Sequence, residues 1–396
     1  MESLRSALAD SGSLELAMAA AGPTPFEPFE DEGVRYFHLQ EPAIRGGFGG
    51  VADRWLRRSA DSQILAGAAA VAENVKPDLI HVHGSERAFG LLNEMVEVPL
   101  VVSLQGLLVV YSRFCLTGIP PKELLHDVIS VHFAKGRGLV HTWRWTLGAA
   151  ERELKILRSC HYFAGRTAWD RDVVRVANPE AHYYHVDEVL RPPFYDQEWD
   201  PVTDGPFSVY ATGGMTPWKG LVNLLEAVAL LRQSVRRETR LRVSGALQGT
   251  DMWPVIQRAV SRLGLSNVVE WLGPLAPDAI VSELQAASVY VQPSVIENSS
   301  NALAEAMVVG VPCVATSGGG TPSMIIDGVD GLLCAPNDIY GLAGKMAAVE
   351  ADTVMAARLG CNARVRAQQR HDPATIAATT LNMYRDVVAR HGGGER

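Results

Sequence analysis

The chain has 396 residues, enough for two domains of ordinary size, and 47% of them are hydrophobic, as packed cores require. A formal net charge of -8 argues against a nucleic-acid-binding protein. The cysteines Cys115, Cys160, Cys313, Cys334 and Cys361 are scattered and lack metal-ligand spacing, so they read as reduced intracellular thiols, and no apolar run reaches the roughly 18 residues of a membrane span.

Residues Met1–Ala21 read as a helix leading into a strand over Leu14–Ala20, with a second strand at Val34–Leu39. The opening MESLRSALADSG lacks the apolar core of a signal peptide, which sets a cytoplasmic expectation. Arg45-Gly46-Gly47-Phe48-Gly49-Gly50 follows no clear strand and reads as a flexible loop rather than a phosphate cradle. A helix over Val51–Val75 then precedes two strands: Leu79–His83, ending in Gly84-Ser85-Glu86-Arg87, and Leu100–Leu104, ending in Gln105-Gly106. Such alternation is the pattern of an α/β domain. His81 and His83 alternate along their strand, so one is expected to face a ligand cleft and the other the core, with His83 assigned to the cleft. The region 120–160 is helical in patches and mixes Phe133, Trp143 and Trp145 with Lys135, Arg137 and Arg144. That mixture suits a membrane interface, and equally a cleft wall with solvated arginines. The strand His161–Ala164 ends at Gly165-Arg166, where the guanidinium suits a phosphate, an acidic sugar or an interdomain ion pair. Pro192-Pro193 through Pro206 is linker-like.

A second domain opens with the strand Phe207–Thr212 and the loop Gly213-Gly214-Met215-Thr216-Pro217-Trp218-Lys219-Gly220. With Thr216 as cap and Pro217 as first helical residue, Lys219 falls in a first turn whose dipole favours anions. Strands Leu241–Ser244 and Val268–Leu272 end at Gly245 and Gly273. Ser288–Gln292 is strand-like, Pro293 stops it, Ser299 or Ser300 caps a helix from Asn301, and Gly310 with Pro312 ends that helix. Glu305 has only apolar neighbours over Ala302–Val309, so it lies on a buried helix and must meet a polar partner. A further strand, Cys313–Thr316, leads through Gly318–Gly320 to Thr321 and Pro322 as cap and helix start. Both loops lie at carboxyl ends of parallel strands, where open sheets bind ligands and helix N-termini attract phosphate. Carboxylates at Glu297 and Glu305 suit hydroxyl pairs, so the pocket reads as one for sugar hydroxyls and phosphate together. Beyond Pro336 the chain is helical, breaks at Asp372-Pro373 and ends in an amphipathic helix over Ile376–Ala389.

The pair Glu297 and Glu305, followed by Ala306, Met307, Gly310 and Pro312 and then by Gly319 and Gly320, resembles the donor-site signature of GT-B glycosyltransferases of retaining family 4. The phrases SLQG, GRTAWD and ENSSNALAEAM are similar to those of a surface-polysaccharide-type subset. The resemblance implies an α/β GT-B fold with two Rossmann-like domains facing across a cleft. The expected division is 1–191 for the acceptor side, 192–206 for the linker, 207–373 for the nucleotide-sugar domain, and 374–396 for a helix crossing back to the first domain.

By the same resemblance, the enzyme is a hexosyl-type glycosyltransferase that moves a sugar from a nucleotide-sugar donor to an acceptor hydroxyl with retention. Its acceptor is a glycan or a lipid-linked sugar, with peripheral membrane contact at 120–160 one of the two readings of that region. Glu297 and Lys219 take the catalytic roles, on the donor sugar hydroxyls and the departing diphosphate, and Glu305 holds the ribose diol. Gly213, Gly214, Gly273, Asn298, Ser299, Ser300 and Asn301 complete the donor site, while His83, Gln105 and Arg166 fall on the acceptor side. No cofactor and no metal is implied.

The chain departs from the family pattern in three places. The arginine usual five residues before the lysine is Gly214, the histidine usual at the end of the second strand is Gln105, and the opening Met-Lys-Ile-Leu strand is missing. The last departure sets an expectation of a gap or displaced strand in the first domain, or of a natural start upstream of Met1. A nucleotide-sugar epimerase on the same fold and a catalytically silent nucleotide- or glycan-binding protein are the rival readings.

Overall fold

The computed structural model describes all residues except 1, 10, 11, 13, 23, 42–46, 57–60, 203, 215, 236, 237 and 394–396. Two compact units emerge: Met1–Ser112 with Arg144–Val189 and Asp372–Arg396, and Arg113–Trp143 with Leu190–His371. Both 113–143 and the stretch 192–206 expected as a linker group with the second unit. Packing explains the grouping of 113–143, since Ile119 and Leu139 are buried in the core cluster of the second unit.

In the first unit the strands form two sheets. Strands β1 (Leu16–Gly22), β2 (Phe29–Asp31) and β3 (Val34–Gln40) lie in the order β1-β3-β2, with β1 parallel and β2 antiparallel to β3. Strands β4 (Ile80–His83), β5 (Leu100–Ser103), β6 (Tyr162–Gly165) and β7 (His182–His185) form a parallel sheet in chain order. Among the described residues no strand joins β1 to β4, so each is the edge of its sheet. Gly47–Gly50, expected as a flexible loop, begin the helix Gly47–Leu56, while Arg45 and Gly46 lie outside the described residues. Of the helix expected over Val51–Val75, the described residues form Gly47–Leu56 and Asp61–Val75, and 57–60 lie outside them. The last helix, Pro373–Gly392, starts where Asp372 accepts the Thr375 N–H at 2.8 Å. It buries Met383 and Val387 against Val101, Tyr162 and Ala164 of the first unit.

The second unit is a single six-stranded parallel sheet. Its strands β8 (Phe207–Thr212), β9 (Thr239–Ser244), β10 (Val269–Gly273), β11 (Val289–Gln292), β12 (Cys313–Thr316) and β13 (Leu332–Cys334) run in the order β10-β9-β8-β11-β12-β13. That order reverses between β8 and β11, and loops leaving such neighbouring strands in opposite directions open a crevice at their carboxyl ends. Strands buried on both faces read as unbroken apolar runs: β11 and β12 are buried at every position, and two core clusters lie against the sheet. The linker-like stretch is docked rather than loose, for Leu190, Phe194 and Trp199 are buried and the Trp199 indole donates to the Ala287 carbonyl at 2.8 Å.

Candidate functional site

At the switch point the loops after β8, β11 and β12 are tied together by backbone contacts. Val295 N–H donates to the Trp218 carbonyl at 2.7 Å, and Gly320 N–H donates to the Glu297 carbonyl at 2.8 Å. Thr316 adds a hydroxyl bond to the Ser294 carbonyl. Glu297 and Gly319 form an isolated parallel bridge, and Gly319 has φ +65 with its α-carbon turned against the Glu297 carbonyl. Any side chain there would meet that oxygen, so glycine is required both by backbone conformation and by close approach.

This zipped loop points Glu297 at Lys219, with the carboxylate Oε2 2.5 Å from Nζ. The Ser294 hydroxyl donates to the same oxygen at 3.4 Å. Glu297 is 7% exposed, whereas the Lys219 side chain is 37% exposed and can still meet a ligand. An ammonium carries three donors and a carboxylate about four acceptor sites, so their mutual contact leaves capacity on both. Lys219 sits in a 3-10 turn, Pro217–Lys219, and the helix proper begins at Leu221. This corrects the expected helical first turn, and Thr216 makes no side-chain cap. Thr321–Ser323 is likewise a 3-10 turn rather than the start of a helix. Gly214 lies directly beneath Lys219, where a side chain would collide with its Cβ and Cγ. The lysine thus occupies the space above a position that in the resembled family carries arginine.

Glu305 has the polar partner its burial demanded. It is 4% exposed on the helix Asn301–Val309, and Arg191 grips it with Nε on Oε1 and a terminal nitrogen on Oε2, both at 2.8 Å. Burial pushes the Glu305 carboxyl above its usual range, and the guanidinium opposes that shift. Arg191 went unassigned in the sequence reading. The signal for it was the need of Glu305 for a cation, together with two prolines after Arg191 that hold the backbone extended. Ser300 caps the Glu305 helix by accepting the Leu303 N–H at 3.3 Å. Asn298 and Ser299 are buried in the loop, and Asn301 is exposed at the first helical position. Gly213 N–H donates to the Ser244 carbonyl at 2.7 Å and Gly245 N–H to the Gly273 carbonyl at 2.8 Å, which ties the ends of β8, β9 and β10 together.

His83, Gln105 and Arg166 group in the first unit. Arg166 is 4% exposed, donates to the Gln105 side-chain oxygen and pairs with Glu188 at 2.9 Å. Its ion-pair partner therefore belongs to the same unit. His81 and His83 stand two residues apart on β4 and so share a face; their rings are 4.1 Å apart, which corrects the expected split between cleft and core. Burial lowers His83 to about 4, leaving it neutral at ordinary pH. Beneath these loops Glu153 is fully buried on the helix Leu139–Ser159, accepting from the Ser85 hydroxyl and the Val109 N–H, both at 2.6 Å. Burial raises it to about 7. Sequence inspection passed over Glu153, although it shares a helical face with Ala149, Ala150, Ile156 and Leu157.

Residues 196–366 match the family model described as glycosyl transferases group 1. The chain has the GT-B glycosyltransferase fold, and its similarity to sucrose-phosphate synthase from Thermosynechococcus elongatus covers 98% of this chain and 92% of that one, with a TM-score of 0.74 at 20% identity. Anabaena HepE in complex with UDP-glucose gives a TM-score of 0.61 at 21% identity, over 89% of this chain and 86% of that one. The MMP alpha-(1->4)-mannosyltransferase of Mycolicibacterium hassiacum is 31% identical over 175 residues, 44% of this chain and 41% of that protein. The chain thus spans less than half the length of the curated relatives it matches.

Proposed function

We propose that the protein transfers a hexosyl group from a nucleotide-sugar donor to an acceptor hydroxyl with retention of configuration, in surface-polysaccharide or glycoconjugate biosynthesis. The observation that carries this reading is the convergence, at one switch point, of Lys219 on the Glu297 carboxylate and of Arg191 on a second, buried carboxylate, Glu305. Glu305 has its two remaining acceptor positions for the ribose diol, and Glu297 has the same capacity for donor sugar hydroxyls. Lys219 and the backbone N–H groups of the Gly213–Gly214 and Gly318–Gly320 loops receive the diphosphate.

In the reaction the bond between the sugar anomeric carbon and the diphosphate oxygen breaks, and its electron pair stays on the diphosphate. The acceptor oxygen bonds to the anomeric carbon on the same face, and its proton passes to the departing phosphate oxygen. Lys219 stabilises the charge that grows on that oxygen. The reading assigns the diphosphate charge to Lys219 and the backbone rather than to a metal, and activity is expected to survive EDTA. The unit holding His83, Gln105 and Arg166 takes the acceptor, a glycan or lipid-linked sugar. Because His83 is neutral and Gln105 cannot take a proton, they bind and orient rather than act as base.

Support comes from the group 1 match, which spans Lys219, Glu297 and Glu305, and from HepE, whose complex holds UDP-glucose. The test is a panel of nucleotide sugars screened by thermal shift and mass spectrometry, followed by transfer to polyprenyl-linked or free glycan acceptors. Release of free sugar and nucleotide without any acceptor product would favour the epimerase reading, and binding without any turnover the silent-binder reading.

A further inference from the structure

The segment 121–137 carries a surface that the donor site does not use. It forms two short helices, Pro121–Val128 and Val131–Ala134, anchored to the second unit by Ile119, Leu124 and Leu139. Its acidic residues are Glu123 and Asp127, and both are engaged inward. Glu123 is 5% exposed, and its Oε2 receives Arg258 through Nε at 2.6 Å and a terminal nitrogen at 2.5 Å. Asp127 accepts the backbone N–H groups of Leu139 at 3.1 Å and Val140 at 3.2 Å, closing the excursion onto the start of the next helix.

The outward side has the opposite character. Leu125, Val128, Ile129 and Val131 are 61%, 44%, 72% and 67% exposed. Positions 125, 128 and 129 fall on one helical face, so these side chains make a ridge rather than scattered exposures. Around them Lys122, His126, His132, Lys135 and Arg137 are also exposed. An apolar ridge flanked by the cations Lys122, Lys135 and Arg137, with both carboxylates of the segment engaged inward, is complementary to an anionic lipid headgroup layer over an acyl interior.

We propose that the 121–137 ridge docks the donor-binding unit on an anionic bilayer surface, inserting Leu125, Val128, Ile129 and Val131 at headgroup depth with Lys122, Lys135 and Arg137 on the phosphates. The proposal deepens the acceptor reading and rests on it only for its purpose, delivery of the enzyme to a lipid-linked acceptor.

The test is cosedimentation of the full chain with vesicles of phosphatidylcholine alone or of phosphatidylcholine and phosphatidylglycerol in equal parts. Binding is expected only to the anionic vesicles and should weaken with salt. Each cation removed should lower partitioning about fivefold, so Lys122→Gln, Lys135→Gln and Arg137→Gln together should lower it by about a hundredfold. Leu125→Ser with Ile129→Ser should lower it more than about tenfold through lost apolar burial, with an unchanged unfolding transition as the folding control. Equal binding to neutral vesicles, no binding to anionic ones, or variants that bind like the parent would overturn the proposal. So would a concentration-dependent dimer, lost in Ile129→Ser while vesicle binding persists, because the ridge would then serve a second copy. Transfer to a water-soluble acceptor is measured in parallel: a protein that transfers but ignores vesicles removes only the docking proposal, and one that docks but never transfers removes only the functional one.

Discussion

Replacing Arg191 by alanine would leave Glu305 buried without its cation. The carboxylate is 4% exposed and loses two charge-assisted bonds of 2.8 Å. Removing one partner of a fully buried pair costs roughly 3–5 kcal/mol. Here the Arg191 side chain is 41% exposed, so solvent screens part of the interaction and can reach the carboxylate once the side chain is gone. A loss of about 2 kcal/mol follows, or roughly 4–8 °C in the melting temperature of a unit this size. Glu305→Gln in the same background should recover most of it, because a neutral amide carries no buried charge.

The pH dependence has a definite sign. Burial raises the Glu305 carboxyl above its unfolded value, and Arg191 holds that rise in check. Without the arginine the folded-state value climbs further, so the penalty is full above it and disappears as pH falls below the unfolded value. Urea unfolding of the parent, Arg191→Ala and the double variant, at neutral and mildly acid pH, reads all of this. An Arg191→Ala protein as stable as the parent, an equal deficit in the double variant, or a deficit that grows on acidification would refute the reasoning.

Gly319→Ala should disable donor binding and lower stability by at least about 2 kcal/mol, since the residue needs both positive φ and contact with the Glu297 carbonyl; thermal shift with and without nucleotide diphosphate checks it, and a normal ligand-induced shift would contradict it. Glu153 has a folded-state value near 7 against an ordinary one near 4.5, so the first unit should lose stability as pH rises through that window. Glu153→Gln should flatten the profile of melting temperature against pH, and an unchanged slope would show that the titrating group lies elsewhere. Lys219→Ala should lower kcat by roughly 10² to 10³ through loss of a transition-state charge contact; steady-state kinetics showing near-parental turnover would return Lys219 to an ordinary surface role.

The second unit was the more legible in sequence. Strands Phe207–Thr212 and Cys313–Thr316 were read with the ends they have, because both are apolar runs bounded by glycine or proline. Glu297 and Glu305 fall in loop and helix as expected, because Pro293 ends the strand, Ser300 caps the helix and Gly310 closes it; that Glu305 needs company follows from its apolar helix. What escaped was the identity of that company. Arg191 lies 114 residues away in the chain, and nothing local marks such a pairing. Lys219 was put in a helix because Thr216-Pro217 suits a start, yet the backbone makes only a 3-10 turn before Gly220. The short strand His182–His185 has exposed ends and no apolar run, so Asn178-Pro179 before it marks a turn without marking a strand. The histidine error was one of period, since strand residues alternate faces at each step and not at every second one.

The most direct test of the central claim is calorimetric titration of the parent, Glu297→Ala and Glu305→Ala proteins with a nucleotide diphosphate and with the matching nucleotide sugar. Glu305→Ala is predicted to weaken both ligands by about 2–4 kcal/mol, because a charged acceptor for the ribose diol is lost. Glu297→Ala is predicted to leave diphosphate binding close to the parent's and to abolish the extra affinity contributed by the sugar. Equal losses of diphosphate affinity in the two variants, or none in either, would contradict the assignment of these carboxylates to a nucleotide-sugar site.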